Sequence, residues 1–411
     1  MKIREMLLGT FIAVSFVAGI GVSPANAAVA PDYNGVGSSS LAAPTPGARA
    51  IYVDDQGSDV WGMNVSWGYK EYNRISCLDG GKLPINDPTC PEPTAERPLR
   101  TVQGAVKVAK PGDVIIIRAG TYDEKVGWSA RPGRSDAPIR MQSYPGETAR
   151  LNGYLKLSGA DYWTVQGIRF GYSPTNTTGQ AIVSFFGGTG WSFIHNEIAG
   201  TRGVANLHIR DQTPASTTIE SKTAAAPHNY LIGANCIRQA AKTGTAGEMH
   251  NIYLMPTIYS SGGTIENNLI GDSPLGSGIK ASGSQDPAGA PRGVLIKNNT
   301  ILYGASGIVI GQQAERVETI GNLIAKGAGS GPYDGGVKTY DLVAANLNSV
   351  KDTLIQGYKY PIRQPWQSAT TLYERRNVTP TDVALTGSLD NCSIKANNTT
   401  IRATYGHYST K

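Results

Sequence analysis

Phe193-Ile194-His195-Asn196-Glu197-Ile198, Thr264-Ile265-Glu266-Asn267-Asn268-Leu269-Ile270, Leu295-Ile296-Lys297-Asn298-Asn299-Thr300-Ile301 and Thr319-Ile320-Gly321-Asn322-Leu323-Ile324 are versions of one phrase: a short apolar strand, an asparagine, another apolar residue. Asn235-Cys236-Ile237 is a shortened copy, and glycine is read in the asparagine place at Gly167 (Val165-Gln166-Gly167-Ile168) and Gly357 (Ile355-Gln356-Gly357). From Gly167 to Gly357 the phrase returns at steps of 23 to 39 residues. A repeat in that range marks a solenoid or a propeller. In a solenoid each winding pairs in parallel with the next, and inward side chains stack like on like. An asparagine at the bend can bond backbone groups and its own copy one winding away, so the buried polar groups of a tight turn stay paired. These asparagines are therefore read as structural.

Outward from the repeats, the chain has 50 Gly and only 6 Phe, and it is rich in Ile, Val, Asn and Thr, a composition of strands and turns. Lys2 and Arg4 precede an apolar run from Met6 to about Val22, and Ala25-Asn26-Ala27 is a small-x-small cleavage site. That pattern predicts a secretory signal cut after Ala27. Residues 28–48 are expected to be a disordered leader, and 49–411 one domain, with an insertion at 57–96 and an irregular loop and cap at 360–411. No later run is apolar enough to span a bilayer. The formal charge of +6 suits an acidic partner, but no Lys/Arg run points to nucleic acid. Of the four cysteines, Cys77 and Cys90 bracket a loop where a disulfide would suit an exported protein; Cys236 and Cys392 could pair, or Cys236 could be a buried thiol.

Near the start, Ile51-Tyr52-Val53-Asp54 reads as a strand, residues 98–109 as a short amphipathic helix, and Val114 to Arg118 as a buried strand. The series Ile51-Tyr52-Val53-Asp54, Gly57-Ser58-Asp59, Pro98 to Val106, Pro111-Gly112-Asp113-Val114-Ile115 and Ala119-Gly120-Thr121-Tyr122-Asp123-Glu124 resembles the N-terminal cap and first coils of the pectate-lyase-like superfamily. The resemblance implies an all-β fold, a right-handed parallel β-helix with a short N-terminal capping helix. It leaves the activity open, because one fold hosts many chemistries.

A second strand series starts about ten residues after each asparagine: Ala181-Ile182-Val183-Ser184, Asn206-Leu207-His208-Ile209-Arg210, Asn251-Ile252-Tyr253-Leu254, Gly278-Ile279-Lys280-Ala281, Gly307-Ile308-Val309-Ile310 and Gly336-Val337-Lys338-Thr339. Aligned on Ile182, Leu207, Ile252, Ile279, Ile308 and Val337 as inward residues, alternation sends Val183, His208, Tyr253, Lys280, Val309 and Lys338 outward. His208, Tyr253 and Lys280 then stand on consecutive coils, with Arg210 two residues along. Such a group suits β-elimination from a uronate: a base takes the C5 proton while a cation neutralises the neighbouring carboxylate. Lys280 is the candidate base, Tyr253 or His208 a proton relay, and Arg210 a carboxylate clamp. Gly278-Ile279-Lys280-Ala281-Ser282 is similar to the lysine-bearing strand of the alginate lyase and chondroitinase B type. That resemblance implies an arginine on a neighbouring coil, a place Arg292 could fill. Lys338 is read as a surface lysine, and His250 as a structural residue opening its strand.

A bound Ca²⁺ could supply the neutralising charge, but Asp211, Glu248, Asp272, Asp286 and Asp334 are scattered through loops. Thr/Ala/Ser/Gly-rich loops at 211–229 and 241–249 are expected to border the face as mobile binding segments. The expectation is a secreted, monomeric polysaccharide lyase acting on an acidic glycan. The alternatives are a non-catalytic glycan binder or adhesin and a glycoside hydrolase, the last disfavoured because the outward row holds no carboxylate pair.

Overall fold

The computed structural model describes residues 47–57, 94–96, 98–127, 130–176, 181–240, 249–283, 290–325, 327, 335–342, 347–364, 372–380 and 383–407. All of them belong to one compact unit, Pro31–Lys411. The signal segment, most of the 57–96 insertion with Cys77 and Cys90, and Glu248, Asp286, Asp334 and Trp366 lie outside the described residues.

Two long parallel sheets run through the described residues. The first has eleven strands, starting with Ala50–Val53 and Val114–Ile117 and ending with Asn348–Lys351 and Leu372–Arg375. The second contains the short strands that follow each bend, such as Glu197–Ala199 and Cys236–Arg238, and the strands of the second series, such as Ala205–Arg210 and His250–Met255. Long strands, Leu269–Ser282 and Thr300–Gly311, belong to both groups and join them. This is the parallel β-helix that the repeats imply. The helix expected at 98–109 is Val102–Val108; the Thr101 hydroxyl accepts from the Gly104 N–H at 2.9 Å, and Val102, Ala105, Val106 and Val108 are buried.

The interior is built of like-on-like rows. Leu155, Val183, Leu207, Ile252, Ile279, Ile308 and Val337 are in register across neighbouring strands and fully buried. Each such side chain contributes about 1.5–3 kcal/mol when taken out of water. Gly278, Gly307 and Gly336 form a neighbouring row. A Cβ on any of them would lie 2.2–2.3 Å from a methyl of Ile301, Ile324 or Ile355, so glycine is what admits those isoleucines.

The asparagines form a ladder. Asn235 donates its N–H and its Nδ2 to Asn268 Oδ1, both at 2.9 Å, and Nδ2 also reaches the Phe193 carbonyl at 2.9 Å. Asn268 and Asn299 repeat the pattern toward Asn299 and Asn322. The left-handed backbone of the bend belongs to the residue before each asparagine: His195 (φ 54°), Ala234 (53°), Asn267 (56°), Asn298 (53°) and Gly321 (66°). This corrects the placing of the glycines. Gly167 (φ 66°) is a bend residue opposite His195, and Ile168 takes the ladder slot, donating its N–H to Asn196 Oδ1 at 3.0 Å. Gly357 is outside the ladder; Thr353 holds the slot, and its N–H donates to Asn377 Oδ1 at 3.1 Å.

Residues 383–407 do not continue the parallel winding. Leu385–Thr386 and Lys395–Ala396 pair antiparallel, the helix Thr399–Thr404 follows, and Val383, Cys392, Ile394 and Ala396 pack over the outward row Cys236, Leu269, Leu323 and Leu354 and over Leu302 beside it. Exposed, that row would be an apolar stripe on the sheet, and the segment covers it. The Cys236–Cys392 disulfide closes a loop of 156 residues and ties the segment down. Cys392→Ala is expected to cost roughly 2–4 kcal/mol and to make residues 383–407 the first point of limited proteolysis. Unchanged protease resistance would show that packing alone holds the segment.

Candidate functional site

The parallel register sets Lys156, Ser184, His208, Tyr253, Lys280, Val309, Lys338 and Arg363 in one row, each beside the next. Three predicted residues, His208, Tyr253 and Lys280, are thus consecutive, with Arg210 two residues along beside Phe186. Val183 is corrected to inward and fully buried, and Ser184 takes the outward place. Ala181, Ile182 and Val183 are all buried, so alternation alone left two phases; pairing with Leu155 and Leu207 selects one.

The row is a chain of rings and cations. His208 stacks on Tyr253 with ring centres 5.4 Å apart, and Lys280 Nζ sits over the Tyr253 ring at 4.8 Å. The Lys156 ammonium and the Arg210 guanidinium lean over one Phe186 ring at 4.3 and 5.0 Å. Each cation–ring contact contributes about 0.5–2 kcal/mol, more as water is excluded. The rings hold the long side chains over the sheet.

Burial and like charge shape the titration of the group. Burial, with Arg210 and Lys156 adding to it, pulls His208 down to about 4. Burial and then Arg210 lower Lys156, whereas burial, Arg363 and Lys280 lower Lys338. Burial, then Tyr340, pushes Tyr253 up to about 12, so its hydroxyl stays protonated. Because the folded state refuses the proton that an unfolded His208 takes up below its ordinary 6.5, stability is full above that value and falls toward pH 4. His208→Phe is expected to remove up to about 3 kcal/mol of this acid loss, read from denaturant midpoints between those two pH values. An unchanged slope would assign it to other groups.

Lys338 is corrected from a surface lysine: it is 5% exposed and, with Lys280, lines a pocket of about 200 Å³. His250, also read as purely structural, does accept the Ser277 backbone N–H on Nδ1 at 3.1 Å, but it lines the same pocket. Gly276 makes that approach possible, since a Cβ there would lie 1.9 Å from the Met249 carbonyl oxygen.

Arg292 does not join the row. It pairs with Glu315 at 3.0 Å, at a bridge leading into the first sheet, because its neighbours Gly293 and Val294 turn toward Leu295–Lys297. Asp211, expected beside the face as a possible Ca²⁺ ligand, instead accepts from the Thr257 N–H at 3.1 Å and from its hydroxyl. Among the described residues no three His, Cys, Asp or Glu side chains gather, so the described donors do not fit a Ca²⁺ site. The 211–229 loop holds a short helix, Ile219–Ala225, whose Thr218 hydroxyl accepts from the Ser221 N–H at 3.2 Å; residues 241–248 of the other expected binding loop lie outside the described residues.

Lys156, Arg363 and the pocket role of His250 were missed in the sequence. Lys156 had a usable signal, the alternation of Leu151, Gly153, Leu155 and Leu157 with polar residues. His250 had none, since its place depends on a glycine 26 residues away.

No family model matches the chain and no curated protein matches it. Similar solved structures include pectate lyase Pel9A, with 13% identity over 84% of this chain and 79% of that one (TM-score 0.47). An alginate lyase from Paenibacillus sp. str. FPU-7 has 15% identity over 67% and 95% (TM-score 0.41). Jun a 1, the major allergen from cedar pollen, has 10% identity over 90% and 92% (TM-score 0.46).

Proposed function

We propose that the row is the active site of an exported polysaccharide lyase that cleaves an acidic, uronate-containing glycan by β-elimination. The observation that carries this reading is the row itself: cations and aromatic rings in register, without an Asp or Glu among its members. Hydrolysis needs a pair of carboxyl groups about the scissile bond, and the row offers none.

Arg210 binds the uronate carboxylate through its planar fork. Lys280, as the neutral amine, takes the C5 proton; the electron pair left on C5 forms the C4–C5 double bond as the C4–O bond breaks. The leaving oxygen takes the Tyr253 hydroxyl proton. Lys280 lies over the same ring, so the proton it has taken can return to the tyrosinate and restore both groups. His208, neutral above its lowered pKa, stacks behind Tyr253 and fixes the ring plane.

The test is incubation with alginate, pectate, chondroitin sulfate and heparin, with and without a chelator, following the ultraviolet absorbance of the unsaturated uronate. New absorbance on one of them is expected, unchanged by the chelator. Chelator-sensitive activity would place a cation at the carboxylate instead of Arg210. Tight binding with no absorbance on any glycan would overturn the lyase reading in favour of a non-catalytic binder.

A further inference from the structure

Three residues before the strands Ser192–Ile194, Leu231–Gly233 and Thr264–Glu266 of the first sheet, successive coils place Thr189, His228 and Ser261 side by side, each bridged to the next. Neighbouring coils lie about 4.8 Å apart, so the His228 ring meets the Ser261 hydroxyl. Ser261 Oγ is 2.9 Å from His228 Nδ1, and His228 Nε2 is 2.8 Å from the Thr223 carbonyl oxygen in the helix Ile219–Ala225. That oxygen can only accept. Nε2 therefore carries the ring proton, the neutral ring offers its lone pair at Nδ1, and Ser261 donates to it. Ser261 is exposed and His228 half-buried.

The turn after Ser261 departs from its neighbours. Gly190 and Asn229, which follow Thr189 and His228, and Gly293 in the coil beyond each donate their N–H to a carbonyl of the next coil at 2.9 Å. The Gly262 N–H, which follows Ser261, takes no acceptor among the described residues. The residue facing it is Gly293, in the left-handed region at φ 62°, where a Cβ would stand 3.4 Å from the Gly262 nitrogen.

We propose that Ser261 and His228 are a hydrolytic dyad that removes a short acyl group, such as acetyl, from a hydroxyl of an acidic sugar. A nucleophile, a base within hydrogen-bond reach and a group that orients the base are the parts such chemistry needs. Ser261 Oγ attacks the acyl carbon as its proton passes to His228 Nδ1. The Gly262 N–H donates to the oxygen that gains charge, the place taken in acyl transfer by the N–H after the nucleophile. The bond from the acyl carbon to the sugar oxygen breaks, and that oxygen takes the proton from Nδ1. Water then attacks the acyl-serine by the same route and releases the acid. The Thr223 carbonyl is a positioning group: it fixes the tautomer and steadies the imidazolium. A simple tie between helix and sheet accounts for the His228–Thr223 bond. It does not account for an exposed hydroxyl set on the ring's one lone pair, or for the unspent N–H that follows.

The flanks of the dyad suit a charged sugar. Lys222, next to Thr223, holds its ammonium 5.7 Å from the centre of the Tyr259 ring, two residues before Ser261. The ring offers a stacking plane and the ammonium a partner for a carboxylate. That the ester is carried by a glycan follows from the lyase reading; the ester chemistry does not depend on it.

The test uses the whole protein. A fluorophosphonate probe is expected to modify Ser261, located by peptide mass mapping, and 4-nitrophenyl acetate and acetylated alginate or pectate are expected to release acetate. Ser261→Ala should abolish all three signals, and His228→Gln should lower the acetate rates roughly 10²–10⁴-fold. Lys222→Met should raise KM for the acetylated glycan and leave 4-nitrophenyl acetate unchanged. Absence of both the Ser261 adduct and acetate release in the wild type overturns the dyad without recourse to a variant, as does acetate release that survives Ser261→Ala. Turnover of 4-nitrophenyl acetate with no release from either glycan overturns the acidic sugar as substrate. Acetate release needs no chain cleavage, so a missing unsaturated product would refute the lyase reading and leave the dyad standing, and Ser261→Ala should leave any such product unchanged.

Discussion

Lys280→Met is expected to lower kcat roughly 10²–10⁴-fold, the range for a positioned acid–base group, with little change in the denaturant midpoint. The side chain is partly exposed, and methionine keeps the length that covers the Tyr253 ring. What the change removes is the amine proposed to accept the C5 proton. Tyr253→Phe should show a loss of similar order for a different reason: the ring and its stacking on His208 survive, but the proton for the leaving oxygen is gone. Arg210→Met should act on KM as well as kcat, because the proposed clamp would hold the carboxylate before and during the reaction. If Lys280→Met keeps full activity while Tyr253→Phe loses it, the base lies elsewhere on the face. If all three keep it, the row is not the active site.

The second large effect is on stability. Asn268→Leu is expected to destabilise the protein by about 4 kcal/mol or more, measured by chemical denaturation. Asn268 accepts two hydrogen bonds from Asn235, and its Nδ2 donates to the Ile232 carbonyl at 3.0 Å and to Asn299 Oδ1 at 2.8 Å, all fully buried. Leucine has nearly the right size but leaves the Asn235 N–H and Nδ2 and the Ile232 oxygen short of partners in a dry interior. The same logic predicts a smaller loss, about 1 kcal/mol, for Asn377→Ala at the partly exposed end of the ladder. Equal effects at the two positions would mean that the ladder's worth lies outside its hydrogen bonds.

The winding was legible because the asparagines recur where a polar group has to be buried, and such residues are too costly to be incidental. Their exact slot was less legible. Gly167 and Gly357 share the phrase, but a glycine suits the left-handed bend before the ladder as well as the ladder itself, and only the register separates the two. The row from His208 to Lys280 could be read because Leu207, Ile209, Ile252, Leu254 and Ile279 alternate cleanly with polar residues. Where three apolar residues run together, as at Ala181-Ile182-Val183, the phase was lost. Arg292 and His250 show the other limit. Their places are set by chain turns and by a close approach to Gly276, which strand alternation does not carry.

The ladder also bears on how such a chain can change its length. Asn235, Asn268 and Asn299 each make the same bonds to the rung that follows, so a duplicated winding spliced in among them orphans no donor, and that part of the scaffold tolerates growth. The proposed catalytic row does not. One added winding between Tyr253 and Lys280 would separate the proposed acid from the proposed base by a further ~4.8 Å, so lineages that gain or lose turns are expected to do so toward the ends and to leave this stretch untouched.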